Sequence, residues 1–295
     1  MSPGREQHMC SPSVAVVGCG DLGLRLAAQL PSTIPFIGLR RNIALLPEDL
    51  HAVAVDYTQP ASLAVLARLA PTIVIATFKP VGRGYSAYQA GFTRAMQHLL
   101  TGLGKHRPRL SLMVSSSRVY AEANGNLVDE GSPLATTDPT ALAIIEAERL
   151  LLSSGLTASV LRCGGIYGGA GGRLLSRIMR GEVCASEPLR YSNRIHRDDV
   201  AGFMAYLITV ALEGESVEAV YNVVDSHPAS QYEVESWLAR QLSVEPVALP
   251  NNSSISHKRC SNQRLLASGY SLLYPNYRSG YGPLLAAHKP RPLNH

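Results

Sequence analysis

Short apolar runs alternate with stretches of helical periodicity along the first half of the chain. The runs predict buried strands at residues 13–17, 34–39, 52–55, 72–78, 110–114 and 158–161. Between them, apolar positions recur at helical spacing over residues 21–30, 61–69, 87–103 and 141–152. Strands that alternate with helices at this spacing predict a parallel sheet with right-handed crossovers.

The pattern loosens after residue 162. Helices are predicted at residues 173–180, 200–212 and 232–242, a strand at 219–224, and turns over much of the remainder. We interpret residues 1–12 as a flexible tail and 13–165 as the main domain, to which 195–225 return. Residues 166–194 and 226–295 then form a small substrate lobe over the carboxyl ends of the strands, where open α/β sheets bind ligands.

A glycine-rich segment lies between the first predicted strand and the first predicted helix. In it Gly18 permits a tight turn, Gly20 lets the backbone approach a pyrophosphate, and Gly23 lets the helix pack closely on the strand. Asp21 and Leu22 begin the helix, whose free N–H groups and dipole favour an anion. This context favours a dinucleotide cofactor over a ligand-free turn. The predicted fold is therefore an α/β, Rossmann-type doubly wound parallel sheet with a small C-terminal substrate lobe.

The end of the second strand bears on which dinucleotide is bound. NAD binders usually place a carboxylate there to accept from the ribose hydroxyls, whereas this chain has Arg40 followed by Arg41. A guanidinium can bind a 2′-phosphate through two hydrogen bonds, so we expect NADP(H) rather than NAD(H), although two solvated arginines at a strand end would look the same. Asp56, after the third strand, is a candidate acceptor for the adenine amino group or a plain cap.

Other residues are expected along the cofactor because they lie at the carboxyl ends of strands. Ala76 and Thr77 end the fourth strand, and Cys163 follows the sixth, near the expected nicotinamide.

The bulk properties exclude several classes of protein. The chain has 295 residues, a net charge of +5 and a charged fraction of 17%. Its basic residues are scattered apart from a cluster over residues 173–197, which we interpret as a site for an anionic ligand rather than for nucleic acid, because no aromatic residues are interleaved with it. Five cysteines at unrelated spacings fit neither a zinc site nor a disulfide framework, and no metal is expected. A reducing cytoplasm, with no membrane segment, fits this cysteine usage.

Five segments then resemble the short-chain dehydrogenase/reductase superfamily on its NAD-dependent epimerase/dehydratase side. They are the glycine loop, Ser115-Ser116-Ser117-Arg118-Val119-Tyr120, Asp129-Glu130-Gly131-Ser132-Pro133, Leu161-Arg162 with Ile166-Tyr167-Gly168, and Asn193-Arg194-Ile195-His196 with Asp198-Asp199-Val200-Ala201. The segment from Lys258 to Leu265, near the C-terminal end, resembles sequences of the YeeZ-like subgroup, which are atypical bacterial members of this superfamily. The resemblance implies a cofactor-dependent enzyme in which a Ser or Thr, a Tyr and a Lys surround the reacting oxygen.

The catalytic set that the resemblance implies is incomplete. Ser116 matches the Ser/Thr position, but the Tyr and Lys positions are occupied by Thr140 and Ile144. Three explanations stay open: another acid acts, such as Tyr120, Tyr167 or His196; the reaction needs less acid–base help; or the protein binds NADP(H) without turnover.

Two functional hypotheses follow. The first is an NADP(H)-dependent oxidoreductase or epimerase-like enzyme that acts on a small anionic or sugar-like substrate. The candidate substrate residues are Arg173, Arg177, Arg194, His196 and Arg197, although a solvated helix face would also account for the arginines. The second hypothesis is a non-catalytic NADP(H)-binding sensor. The helices at 87–103 and 141–152 match elements that form dimer interfaces in similar proteins, so a homodimer is expected.

Overall fold

A seven-stranded parallel sheet forms the centre of the molecule. The computed structural model describes residues 12–169, 172–249 and 257–288, and residues 1–11 of the predicted tail lie outside them. The strands of the sheet are β1 (Val14–Val17), β2 (Phe36–Arg40), β3 (His51–Ala54), β4 (Ile73–Ala76), β5 (Leu110–Ser116), β7 (Ala158–Cys163) and β11 (Val220–Val223). Their order across the sheet is β3-β2-β1-β4-β5-β7-β11. The predicted doubly wound fold is confirmed, and the winding reverses between β1 and β4.

Helices cover both faces of the sheet because both faces of its strands are apolar. The described helices are α1 (Asp21–Gln29), α2 (Val65–Leu69), α3 (Tyr85–Tyr88), α4 (Ala95–Leu103), α5 (Pro139–Leu152), α6 (Arg173–Met179), α7 (Arg197–Glu213), α8 (Gln231–Gln241), α9 (Gln263–Ala267) and α10 (Tyr277–His288). In β1, Ala15 and Val17 contribute to the core under α4 and α5, whereas Val14 and Val16 contribute to the core under α1 and α7. Side chains of a strand alternate in this way between the two faces.

The long helix predicted at residues 87–103 is interrupted. The segment Gln89–Arg94 is π-helical and separates α3 from α4. A π-helical turn adds a residue to the helical repeat and is often found at functional sites. Here it contains Phe92, which lines the cleft described below.

Residues after β7 build a smaller apolar cluster beside the sheet. Side chains of α6, α8 and α10 pack together, with Ile178, Leu238 and Tyr277 almost fully buried. Three short parallel pairs complete this part of the chain: β8 (Gly165–Tyr167) with β10 (Arg194–His196), β9 (Glu182–Cys184) with β12 (Val247–Leu249), and β6 (Asn124–Val128) with β13 (His257–Cys260).

A buried ion pair joins α5 to the sheet. Arg162 on β7 and Glu148 on α5 are 4% and 2% exposed, and the Arg162 Nη2 and Nε atoms lie 2.8 and 3.1 Å from Glu148 Oε2. Ser115 donates to the other carboxylate oxygen at 2.5 Å, and Arg162 also donates to the hydroxyl of Tyr120 at 3.2 Å. Such a pair is stable only when both charges and their remaining hydrogen bonds are satisfied together.

Replacement of Glu148 by Ala is expected to lower the free energy of unfolding by about 3–5 kcal/mol, because it leaves a buried guanidinium without its counter-charge. Glu146→Ala is the matched control on the same helix, since Glu146 pairs with Arg149 at the surface. Its cost should not exceed about 0.5 kcal/mol. Urea denaturation measures both values, and equal losses would contradict a special role for the buried pair.

Candidate functional site

A cleft of about 540 Å³ lies at the carboxyl ends of β1, β4, β5 and β7, beside the point where the winding reverses. We call it the central cleft. Among the residues that line it are Gly18, Gly20, Asp21, Leu22, Thr77, Lys79, Phe92, Ser116, Cys163 and Arg197. This is the position at which open α/β sheets bind ligands.

The glycine loop turns sharply into α1 at the floor of this cleft. Gly18 has a φ of +88°, and a Cβ atom there would lie 2.8 Å from the carbonyl oxygen of Thr77. The backbone N–H groups of Gly18 and Cys19 donate to the carbonyl of Leu39, which fixes the loop between β1 and β2. A residue other than glycine at position 18 would therefore be both strained and crowded.

Helix α1 begins without a side-chain cap. Its N-cap residue is Gly20, so the first N–H groups of the helix have no side-chain acceptor in the structure. A Cβ atom on Gly20 would touch nothing closer than 3.8 Å, and the Nζ atom of Lys79 is 3.9 Å from its position. The space over Gly20 is therefore open to a ligand, and uncapped N–H groups with a nearby ammonium suit an anion.

Two cations, Arg197 and Lys79, line the cleft near this loop. The sequence analysis had named Arg197 as a candidate but not Lys79. Arg197, at the start of α7, lines the central cleft, and its buried Nε atom has no acceptor among the described residues. Its Nη1 atom lies 3.2 Å from Asp21 Oδ1, and Arg25 also pairs with Asp21. These contacts neutralise the carboxylate at the helix start. Lys79 was missed, although a lysine directly after the fourth strand is a signal that the sequence offers.

The arginines at the end of β2 lie at the outer edge of the site. Arg41 lines a separate shallow cleft of about 450 Å³ together with Arg94 and His98, whereas Arg40 lines none of the clefts described here. Asp56 accepts from the N–H and hydroxyl of Thr58 at 3.0 and 2.7 Å. Burial would raise the pKa of Asp56, but these bonds and the charge of Arg41 hold it below its usual value.

Ser116 and Cys163 line the central cleft at the ends of β5 and β7, which we call its inner end, and the glycine loop lines what we call its outer end. The Ser116 Oγ atom accepts from the backbone N–H of Arg118 at 3.2 Å, so its own proton remains available to a ligand. Burial raises the pKa of the Cys163 thiol to about 12, which keeps it protonated and unreactive near neutral pH. Ser116 is therefore the polar group of this inner end that could contact a reacting oxygen.

Two predicted site residues lie in the core instead. Tyr120 is 2% exposed, and its hydroxyl donates to Asn222 at 2.6 Å while it accepts from Arg162. Burial raises its pKa to about 12. These contacts favour a structural role, and a catalytic role for Tyr120 stays a prediction. Ala76 is also fully buried in the core. Gly23 acts through packing, since a Cβ there would lie 2.7 Å from Cys19 Sγ.

The positions of the missing Tyr and Lys carry no replacement acid. The Thr140 hydroxyl donates to Asp138 and accepts from Arg118 at 2.8 Å, and Ile144 is buried in the core against the sheet. The ammonium that the resemblance would place at residue 144 is therefore absent from this helix.

A second cavity, the arginine cleft, has a volume of about 530 Å³ and contains three of the predicted substrate residues. Arg173, Arg177 and Arg194 line it, but two of them are already partnered. Arg177 forms an ion pair with the buried Glu235, and Arg194 donates to the carbonyl of Ser192 at 2.9 Å.

His196 serves the fold rather than this cavity. Its Nδ1 atom caps α7 by accepting from the N–H of Asp198, and its ring packs against Tyr167 and Tyr274. Burial lowers its pKa. These contacts favour a structural role, and His196 as a substrate residue stays a prediction. The Tyr167 ring stacks on Tyr281, with the ring centres 4.4 Å apart, and burial raises its pKa far above the usual value.

A third cavity, the lateral cleft, has a volume of about 510 Å³ and shares Ser116 and Gly164 with the central cleft. Its wall includes Arg118, Arg190 and Lys258. Lys258, on β13, donates from Nζ to the carbonyl of Tyr120 at 3.1 Å. No sequence argument had placed it near Ser116, because β13 and β5 are far apart in the chain.

A family model described as NAD(P)H-binding matches residues 18–210. The chain belongs to this NAD(P)H-binding family. A search of curated proteins finds no match.

Solved structures agree with the family. A Methylobacillus flagellatus protein assigned to the NAD-dependent epimerases and dehydratases is 33% identical, with a TM-score of 0.78 over 94% of this chain and 98% of that one. UDP-glucose 4-epimerase from Thermus thermophilus, in complex with NAD, is 18% identical, with a TM-score of 0.77 over 93% of this chain and 98% of that one. The second likeness shows the fold alone. The YeeZ-like subgroup stays a prediction.

The residues of the central cleft fit a dinucleotide. The space over Gly20 is open, the α1 N–H groups lack a side-chain cap, and Lys79 and Arg197 line the same cleft. No helix among the described residues is long and apolar enough to cross a membrane. Within residues 12–169, 172–249 and 257–288, no group of three or more His, Cys, Asp or Glu side chains could hold a metal ion.

Gly20→Ala is expected to leave the melting temperature within about 3 °C of the native value, because the new methyl group meets no close neighbour. It should weaken NADPH binding at least about tenfold, since the methyl group fills the space over which a pyrophosphate would lie. Gly18→Ala is the contrasting variant and should lose stability through its positive φ. Thermal unfolding and NADPH fluorescence measure the two effects. Unchanged affinity in Gly20→Ala would place the cofactor elsewhere.

Proposed function

We propose that this protein is an NADP(H)-dependent oxidoreductase of the epimerase/dehydratase type, acting on a small anionic or sugar-like substrate. The observation that carries the proposal is the position of Ser116, which lines the same cleft as the glycine loop at Gly18 and Gly20. A polar side chain thus stands at the inner end of a cleft whose outer end suits a pyrophosphate.

The bound cofactor supplies or accepts a hydride at its nicotinamide ring. The chain's own residues bind and orient the reactants. The uncapped start of α1, together with Lys79 and Arg197, holds the pyrophosphate. Phe92 and Cys163 contribute apolar walls that exclude water from the inner end. Ser116 donates its hydroxyl proton to the substrate oxygen, because its oxygen already accepts from the backbone of Arg118.

The preference for NADP(H) over NAD(H) rests on the end of β2. Arg40 and Arg41 stand where a carboxylate would otherwise repel a 2′-phosphate. Arg41 shares its shallow cleft with Arg94, so a second guanidinium is available to a phosphate at this edge.

Arg40→Glu is expected to weaken NADPH binding about tenfold to hundredfold and to leave NADH binding within about threefold, since it removes a cation and adds a repelling carboxylate beside the 2′-phosphate. Arg107→Glu is the control for the change in net charge, because Arg107 is exposed and bonds only to nearby carbonyls. Fluorescence titration with both cofactors gives the ratio. An equal loss for NADPH and NADH would overturn the preference.

A second candidate function is a non-catalytic NADP(H)-binding sensor. It is favoured by Thr140 and Ile144, which leave the position of the family's acid–base pair without a titratable group. The two functions separate in an exchange experiment with NADPH deuterated at the nicotinamide C4 and a panel of acceptors that includes oxidised sugar nucleotides and keto acids. Transfer of deuterium supports the enzyme. A protein complex that depends on the cofactor form, without any transfer, supports the sensor.

Ser116→Ala is expected to reduce this deuterium transfer at least about a hundredfold, because the substrate oxygen loses its hydrogen-bond donor. Its NADPH affinity should stay within about twofold of the native value, since Ser116 contacts the substrate side. Thr101→Ala, exposed on α4, is the control. A parallel loss of NADPH affinity and transfer would instead indicate that Ser116 supports the fold of the cleft.

A further inference from the structure

The lateral cleft carries unbalanced positive charge next to Ser116. Arg118, Arg190 and Lys258 stand on its wall, and Asp138 is the carboxylate on the same wall. Asp138 is already engaged, since it lies 3.6 Å from an Arg118 nitrogen and accepts from the N–H and hydroxyl of Thr140. Among the described residues, Arg190 and Lys258 therefore have no ion-pair partner on this wall.

Lys258 is a buried cation with little compensation. It is 6% exposed, and within the described chain its Nζ atom has one hydrogen-bond acceptor, the carbonyl of Tyr120. An ammonium has three protons to donate. Glu122 and Asp138 act on it only through space, and burial lowers its pKa below the usual value. A buried charge in this condition is costly unless an anion completes its environment.

Two further donors on the same wall lack acceptors. The Nε atom of Arg190 and the hydroxyl of Ser192 are buried, and neither has a hydrogen-bond partner in the described structure. Buried donors in native proteins are normally satisfied by protein atoms, ordered water or a ligand, so two unsatisfied donors on residues of one cavity wall favour a polar occupant of that cavity. Carboxylate and phosphate oxygens are acceptors that match a guanidinium, an ammonium and a hydroxyl together.

The arginine cleft offers no equivalent arrangement. Its Arg177 is neutralised by Glu235, and the charge of Arg194 acts on the buried carboxyl of Asp225. The basic cluster that the sequence indicated at residues 173–197 is thus divided. Arg190 faces the lateral cleft with unsatisfied donors, whereas two of the three arginines of the neighbouring cavity are already compensated.

We propose that the lateral cleft binds an acidic group of the substrate, a carboxylate or a phosphate, which Lys258 and Arg190 hold while Ser116 contacts a neighbouring oxygen. This inference rests on the proposed function and deepens it, because it names the substrate class. The acidic group supplies the counter-charge for the Arg190 and Lys258 side chains that line this cleft.

The test uses the full chain without cofactor, so that it does not depend on NADPH binding. The sequence contains four lysines, so protein whose lysines are labelled with ¹³C at Cε gives few resonances. The resonance that is absent from the spectrum of Lys258→Met belongs to Lys258. The probes are inorganic phosphate and oxalate, each titrated against sodium chloride at equal ionic strength. The readouts are the saturable shift of the Lys258 resonance and the pKa of Lys258 from a pH titration.

We expect phosphate, oxalate or both to move the Lys258 resonance saturably, and the bound anion to raise the pKa of Lys258, because it stabilises the charged form. If one probe alone binds, it identifies the acidic group as phosphate or carboxylate, and if both bind, the tighter one does. Arg190→Gln should weaken binding about tenfold. Arg107→Gln, on the exposed surface, should not change it. If Lys258→Met fails to fold, anion binding to the native protein and its weakening in Arg190→Gln still test the proposal.

Three results would overturn the proposal. One is a Lys258 resonance that neither probe moves. Another is a shift that sodium chloride reproduces, which would mean ionic screening only. The third is weakening by Arg173→Gln instead of Arg190→Gln, which would place the anion in the arginine cleft. If the protein did not bind NADPH in a titration, that result would contradict the proposed function but not the anion site. The two failures are therefore distinguishable.

Discussion

The buried pair of Glu148 and Arg162 is the interaction on which the geometry of the site depends. It joins α5 to β7, and its carboxylate also accepts from Ser115 on β5. Ser116 follows directly at the end of that strand, so the buried network fixes the strand end that carries Ser116. Neither charge can be removed alone without a large penalty. The same network includes the hydroxyl of Tyr120, which accepts a hydrogen bond from Arg162 in the core.

The fold could be predicted from the sequence because its determinants are local. Apolar runs and helical periodicity indicated every strand of the sheet, and the glycines between β1 and α1 indicated the loop. Other elements lack such a signal. The pair β6 and β13 is polar in sequence, as NGNLV and HKRC show, and forms only through tertiary pairing. The π-helical turn at Gln89–Arg94 adds one residue to the helical repeat. The apolar pattern over residues 87–103 does not show this interruption, because it is typical of one continuous helix.

The site was only partly predictable, since side-chain direction depends on distant partners. Gly18, Gly20, Thr77 and Ser116 meet in one cleft because each ends a strand or begins a helix at the same edge of the sheet. Tyr120 follows Ser116 by four residues, but the turn at Ser117–Val119 directs it into the core. The arginine cluster is equally ambiguous in sequence. Arg177 is paired with Glu235 and the Nε atom of Arg190 has no acceptor among the described residues, but the neighbouring residues in sequence do not distinguish the two.

The positions of charge explain how a cleft without the usual Tyr and Lys can still bind a reacting group. Residue 144 supplies no ammonium from α5, yet Lys258 places one in the cavity that adjoins Ser116, from a strand more than 100 residues later in the chain. In the proposed arrangement, the anionic cofactor and the acidic substrate meet separate cations, Lys79 with Arg197 at one end and Lys258 with Arg190 at the other. Opposite charges interact more strongly where water is excluded. Two such anchors on either side of Ser116 would fix the substrate oxygen in place, so positioning can supply part of what the absent pair supplies by proton transfer.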